Sequence, residues 1–253
     1  MQRLYPVSEP DGSVGLDTPL GLAAAYAYPE RAAGPYLRAN MVTSLDGAAR
    51  HEGKSAALSS DADMRVFGVL RALTDVILVG AETVRQEGYR PAKARAAFAA
   101  HRAADGQPPA PAIAVISRRL DLDFTAPLFT EPSVPTLVLT GAAVGDDRLD
   151  AARAAGAHVV VAGDGDGVDP ARAVRELAAR GFVRLLHEGG PRVLAQFAAA
   201  GVVDELCLTL SPFAVGGDAP RVMNGPGVAG PARFVPKSVL EEDGFLFTRY
   251  VRA

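Results

Sequence analysis

The stretch His187-Glu188-Gly189-Gly190-Pro191-Arg192-Val193-Leu194-Ala195-Gln196-Phe197 constrains the chain more than any other. Phe182-Val183-Arg184-Leu185-Leu186, just before it, is apolar enough for a buried strand. After it, Val193, Leu194, Phe197 and Ala198 fall at helical spacing, and Pro191 suits the first turn of a helix. Two glycines at such a junction let a backbone come close to another group. A helix start also leaves amide groups free to hold an anion. The same pattern serves as a tight turn between strand and helix, so by itself it fits either a turn or a phosphate cradle.

The totals narrow the classes. With 253 residues, 49% of them hydrophobic, the chain is long enough to bury a real core. A net charge of −3 gives no reason to expect nucleic acid or an anionic membrane as partner. Cys207 is the single cysteine, which excludes an internal disulfide and a thiolate zinc cluster, and no metal site is expected. Met1 is not followed by a basic stretch and a long apolar core, and no apolar run approaches the ~20 residues of a membrane helix. The expectation is a soluble cytoplasmic protein.

Residues 1–35 are rich in Pro, Gly and Ala and read as an extended lead-in to a single domain over 36–253. Strands are expected at Tyr36–Thr43, Asp75–Val79, Ala112–Ile116, Thr136–Leu139, His158–Val161 and Glu205–Leu210. Ser59-Ser60-Asp61 is an N-cap cluster for a helix carrying Met64, Phe67, Leu70 and Leu73. Further helices are expected over Lys93–Ala104, Asp147–Ala155 and Asp169–Ala179. Asp243-Gly244 joins Ser238–Glu242 to Phe245–Tyr250 as a hairpin. Strands alternating with helices predict an α/β fold with a mostly parallel sheet, closed by an antiparallel hairpin at one edge.

Gly163-Asp164-Gly165-Asp166-Gly167 imitates a dinucleotide fingerprint, but Val168 stands where the third glycine belongs. Its two aspartates would repel a pyrophosphate, so it reads as an acidic surface turn. Gly80-Ala81-Glu82-Thr83 is a second strand–glycine–helix junction with a hydroxyl near the helix start. Ser117-Arg118-Arg119 lies just past a strand end, where open α/β sheets bind ligands. Its hydroxyl and guanidinium groups suit the extra 2′-phosphate of NADPH, although alone it is an ordinary basic turn. Together with Gly189-Gly190 these strand ends suggest one dinucleotide lying across the sheet edge. Asp46 is a turn former or a carboxylate on the ligand side, and Glu188 a helix-dipole partner or the same. His187 and Cys207 read as structural.

Ser-Leu-Asp-Gly at 44–47, Val-Gly-Ala-Glu-Thr-Val at 79–84, Glu-Gly-Gly-Pro at 188–191, Val-Asp-Glu-Leu at 203–206 and Ser-Pro-Phe-Ala-Val-Gly-Gly at 211–217 recur in the order of one family. Over roughly 36–250 the chain resembles the reductase domain of the bifunctional riboflavin-biosynthesis deaminase–reductase, in its stand-alone pyrimidine reductase branch. The resemblance implies a dihydrofolate-reductase-like three-layer fold, a homodimer and NADPH as hydride donor. It places Gly80, Thr83, Glu87, Ser117, Arg118, Gly189, Gly190, Pro191 and Arg192 on the cofactor, and Asn40, Ser44, Asp46 and Glu188 on the substrate. The implied reaction reduces the ribosyl group of 5-amino-6-(5-phosphoribosylamino)uracil to a ribityl chain. If a side chain supplies the proton, Asp46 and Glu188 are the candidates, provided burial raises the pKa of one of them. Asn40 stands where the family has a lysine, and Glu87-Gly88-Tyr89-Arg90 where it has an Asp-Asp-Pro run and a basic residue. These departures keep a dihydrofolate- or dihydropterin-reducing activity open, and a non-catalytic NADPH-binding protein is the alternative of another class.

Overall fold

Uninterrupted apolar runs set the middle of the sheet. The computed structural model describes residues 1–6, 15–29, 34–225, 227–228 and 230–253. The strands are β1 Gln2–Tyr5, β2 Tyr36–Thr43, β3 Val76–Gly80, β4 Ala112–Ile116, β5 Leu137–Thr140, β6 His158–Val161, β7 Arg184–His187, β8 Glu205–Leu210, β9 Phe234–Glu242 and β10 Phe245–Arg252. The helices are α1 Pro19–Ala25, α2 Asp61–Leu73, α3 Ala81–Glu87, α4 Ala99–Ala104, α5 Pro127–Thr130, α6 Asp146–Ala154, α7 Pro170–Ala178 and α8 Pro191–Ala199. All strands belong to one sheet in the order β1-β9-β10-β8-β2-β7-β3-β4-β5-β6. From β8 to β6 neighbouring strands run parallel, and β10, β9 and β1 are added antiparallel.

Every residue of β3 and β4 is buried, because helices cover both faces of the parallel part. Alternation along β3 sends Ile77 and Val79 to one layer with Leu22 of α1 and Val66 and Leu70 of α2. It sends Val76 and Leu78 to the other with Leu177 of α7 and Leu194 and Phe197 of α8. Helix α2 begins as its sequence indicates, with the Ser60 hydroxyl accepting from the Asp63 amide. The Gly163–Gly167 turn is a packing element whose carbonyls at Gly163 and Gly165 accept from Ala142 and Ala143.

Two segments differ from the sequence reading. The helix expected over Lys93–Ala104 starts late, as a short 3₁₀ turn at Ala96–Phe98 followed by α4, and Arg95 reaches across to the surface of Gly68. Residues 1–35 are also more than an extended lead-in: β1 pairs with β9, and Thr18 caps α1, which buries Leu22. Three neighbouring carbonyls at and after the end of α1 explain how it is held. Those of Tyr26 and Ala27 accept from the buried Arg38 guanidinium of β2, and that of Ala25 from Arg249 of β10. Both arginines converge on the buried Glu205 of β8, at 2.9 and 2.8 Å, and the Tyr36 hydroxyl donates to the same carboxylate at 3.0 Å. The helix is short, packs Leu22, Ala23 and Tyr26 into the core, and has its end fastened by charges in distant strands, which no local periodicity reports.

Burial acts to raise the Glu205 carboxyl, but Arg38 and Arg249 outweigh it and hold the group at about 2, below its ordinary 4.5. Its folded value is depressed, so its contribution is complete above about pH 4.5 and is lost as pH falls toward 2. Glu205→Ala leaves two buried guanidinium groups unpaired and is expected to cost about 3–5 kcal/mol in urea unfolding near neutral pH.

Candidate active site

Two chain reversals meet at the carboxyl ends of β3 and β7. The Gly80 amide donates to the Gly189 carbonyl at 2.8 Å, and the Glu188 amide donates to Leu78 at 2.9 Å. A Cβ on Gly190 would stand 2.6 Å from Thr83 Oγ1, and one on Gly80 would stand 2.9 Å from Val193 Cγ2. Gly189 has φ +87° and would meet Met41 Sδ at 3.2 Å. The glycines therefore let the start of α3 and the start of α8 touch, with the Thr83 hydroxyl laid against Gly190. No side chain caps α8, and an uncapped helix start leaves backbone amides available to an anion, here from Arg192 onward since Pro191 has none.

Beside this contact lies a cavity of about 540 Å³, within the usual range of small-ligand sites. Its walls include Asn40 and Met41 of β2, Thr83, Glu188 and Gly190, and one face of α2. Asp63, Phe67 and Arg71 sit four residues apart on α2 and so share that face. Arg71 clamps Glu188 bidentately, Nε to Oε1 at 2.7 Å and Nη2 to Oε2 at 2.5 Å, and Tyr89 donates its hydroxyl to Oε2 at 2.6 Å. The Arg71 guanidinium also stacks 4.2 Å from the Phe67 ring centre. Burial acts against the Arg71 charge, but the Glu188 carboxylate beside it prevails and raises its pKa. Burial, then the same carboxylate, raises that of Tyr89.

Of the residues singled out from sequence, Asn40, Thr83, Glu87, Glu188, Gly190 and Pro191 line this cavity. Arg192 joins Thr83, Gly190 and Pro191 in a small recess beside it, while Gly80 and Gly189 form the packed backbone behind. Glu87 is exposed at the rim, accepting from the amide and hydroxyl of Ser55 at 3.2 and 3.1 Å. Arg118 lies elsewhere, in a recess of about 330 Å³ with Arg119, Arg148 and the N-terminal end of α6. Ser117 is buried at the end of β4, its amide bonded to Leu139.

Two expectations need correction. Ser44 and Asp46 do not line the cavity: Asp46 is exposed and accepts from the Ser44 hydroxyl, the Gly216 amide at 2.6 Å and the Val215 amide. Those hydrogen bonds, Ser44 first, lower its pKa to about 2, the reverse of what a proton donor needs. Glu188 is buried, but it receives three donors and so meets the cavity as a clamped acceptor. Sequence reasoning misses Asp63, Arg71 and Tyr89, although the spacing of Asp63, Phe67 and Arg71 puts two charges and an aromatic on one otherwise apolar helix face.

The RibD C-terminal domain family matches residues 35–242. The chain belongs to this family. It is 30% identical over 193 residues to the 2,5-diamino-6-ribosylamino-4(3H)-pyrimidinone 5′-phosphate reductase of Archaeoglobus fulgidus, covering 76% of this chain and 87% of that one. The reductase of the same name from Methanothermobacter thermautotrophicus is 30% identical over 197 residues, 77% of this chain and 86% of that one. Among solved structures, a pyrimidine reductase-like protein from Corynebacterium diphtheriae superposes with a TM-score of 0.79 at 29% identity, over 87% of this chain and 92% of that one. As a member of the RibD C-terminal domain family the protein is an oxidoreductase of the riboflavin-biosynthesis type with a dihydrofolate-reductase-like fold, and a non-catalytic role is set aside. A reductase of this family implies a nicotinamide cofactor.

Removing Arg71 strands a buried carboxylate, whereas removing the Tyr89 hydroxyl deletes one donor to it. Urea unfolding is expected to show Arg71→Met losing about 3–5 kcal/mol and Tyr89→Phe about 1.5–3 kcal/mol. The reverse order would mean that Tyr89, not Arg71, holds Glu188.

Proposed function

We propose that this protein reduces a 5-amino-6-ribosylaminopyrimidine 5′-phosphate, with NADPH as hydride donor. The observation that carries the reading is the cavity in which the glycine-built helix starts adjoin the clamped Glu188. The names of the archaeal relatives supply the compound class, in its 2,5-diamino form. NADPH held in that cavity would supply the hydride for C1′ of the opened sugar.

The chain's own groups bind and orient. Gly190 and Arg192 offer backbone amides and Thr83 a hydroxyl to the pyrophosphate, where Gly190 lacks a Cβ to obstruct its approach and Pro191 starts the helix. Arg118 reads the 2′-phosphate, in a recess where Arg119 and Arg148 outnumber Asp166, with the buried Ser117 just behind it at the end of β4. The Tyr89 hydroxyl steadies Glu188, whose carboxylate faces the substrate's sugar hydroxyls. Asn40 lies on the same wall. Asp46, held at about 2, ties the 44–47 turn to the 213–217 loop, so the proton that completes reduction comes from solvent. We further read residues 36–253 as the reductase domain and the protein as a cytoplasmic homodimer, on the family resemblance. No helix among the described residues is long and apolar enough to cross a membrane.

Loss of NADPH absorbance with purified protein tests the reading. Turnover of an aminopyrimidine phosphate is expected, and turnover of dihydrofolate with neither the 2-amino nor the 2-oxo pyrimidine would overturn it. Arg118→Ala is expected to raise KM for NADPH about tenfold or more and to leave KM for NADH nearly unchanged. Equal changes for both would remove Arg118 from the 2′-phosphate.

A further inference from the structure

His187 is a buried imidazole that nothing above employs. It is fully enclosed at the end of β7, between Ala39 of β2 and Leu78 of β3, and its ring lies edge-on to Phe197 of α8 with centres 5.0 Å apart. Nδ1 accepts from the Gly189 amide at 3.0 Å, and Nε2 has no partner among the described residues. Burial pushes its pKa down to about 3, so the ring is neutral near physiological pH. A neutral imidazole whose Nδ1 accepts carries its proton on Nε2. The chain thus keeps a buried N–H without an acceptor, which lowers stability. An aliphatic side chain at this position would avoid that loss, so the imidazole's distinctive contribution is the Nδ1 acceptor.

That acceptor meets a residue with little else to hold it. Gly189 has φ +87° and no side chain, so its backbone has more freedom than that of any other residue type. Its amide is fixed by His187, and its carbonyl accepts from the Gly80 amide at 2.8 Å. The bond to Gly80 ties the two turns together, and the bond to His187 ties the same unit to the end of β7. Gly190 follows directly, opens α8 and lies against Thr83. A tilt of Gly189 would carry Gly190 and the start of α8 with it.

We propose that His187 is a positioning residue for the cofactor: its Nδ1 holds the Gly189 amide so that the start of α8 is arranged for a dinucleotide pyrophosphate before the ligand arrives. The proposal rests on the reading of the glycine-built contact as a cofactor cradle. Glu188 is held by Arg71 and Tyr89 instead, so the pyrimidine side does not depend on His187.

Two variants separate positioning from packing. Asn places its side-chain carbonyl oxygen where Nδ1 stands, but it fills less space beside Phe197 and buries an amide NH2 without partners. Leu fills the space and removes the lone N–H, but it leaves the Gly189 amide without an acceptor. Calorimetric titration with NADPH and urea unfolding of the same proteins are expected to rank the two oppositely. His187→Leu is expected to unfold near the wild-type midpoint yet to bind NADPH about tenfold more weakly or worse, with KM for the aminopyrimidine phosphate unchanged. His187→Asn is expected to unfold at lower urea yet to bind NADPH within a few-fold of wild type. Affinity that follows stability in both variants overturns the proposal and leaves the cradle in place. Nitrogen NMR of the wild-type imidazole needs no variant: a neutral ring protonated on Nε2 is expected across about pH 5–8, and a proton on Nδ1 overturns the proposal. Failure of the folded wild-type protein to bind either NADPH or NADH overturns both the proposal and the cradle.

Discussion

The structure turns on a close approach of two backbones. Gly80 and Gly189-Gly190 come together so tightly that a single Cβ on any of them would meet a neighbour at 2.6–3.2 Å. Hydrogen bonds from Gly80 to Gly189 and from Glu188 to Leu78 lock the approach. The consequence is a pair of helix starts in contact, one carrying Thr83 and the other lacking a side-chain cap. The same contact fixes the backbone from which Glu188 enters the cavity. In the proposed reading, the cofactor and the substrate meet where these two strand–glycine–helix turns are fused.

Sheet order explains why this happens at one place. Strand β7 lies between β2 and β3, although it enters late in the chain, so the ends of three strands from distant segments border one cavity. Helix α2 packs over them and contributes two charges and an aromatic, Asp63, Arg71 and Phe67, on one face. On the far side of β2 the Arg38–Glu205–Arg249 group fastens β2, β8 and β10 to the end of α1. Both constellations obey one rule: buried carboxylates here are surrounded by donors before any ligand arrives.

Local chemistry is readable in the sequence, and long-range chemistry is not. The apolar runs of β3 and β4, the Ser60 cap, the Asp243-Gly244 hairpin and the glycine junctions all signal their structure within a few residues. The environments of Asp46 and Glu188 depend on partners far along the chain, the 215–216 amides and Arg71, and no local pattern reports them. Helix α1 is short and held by Arg38 and Arg249 through its end carbonyls, which is why its segment reads as an extended lead-in. Asp63 looks like an ordinary first-turn acid of α2, since its second partner, Thr209, is 146 residues away.

The central claim is that the glycine-built contact seats the cofactor. Titrating NADPH into Gly190→Ala, followed by cofactor fluorescence and with the melting temperature recorded on the same samples, tests it most directly. The account predicts affinity weakened about tenfold or more in a protein that still folds, because the new Cβ displaces Thr83 Oγ1 and occupies the approach to the first amides of α8. Wild-type affinity in a folded Gly190→Ala protein would contradict it.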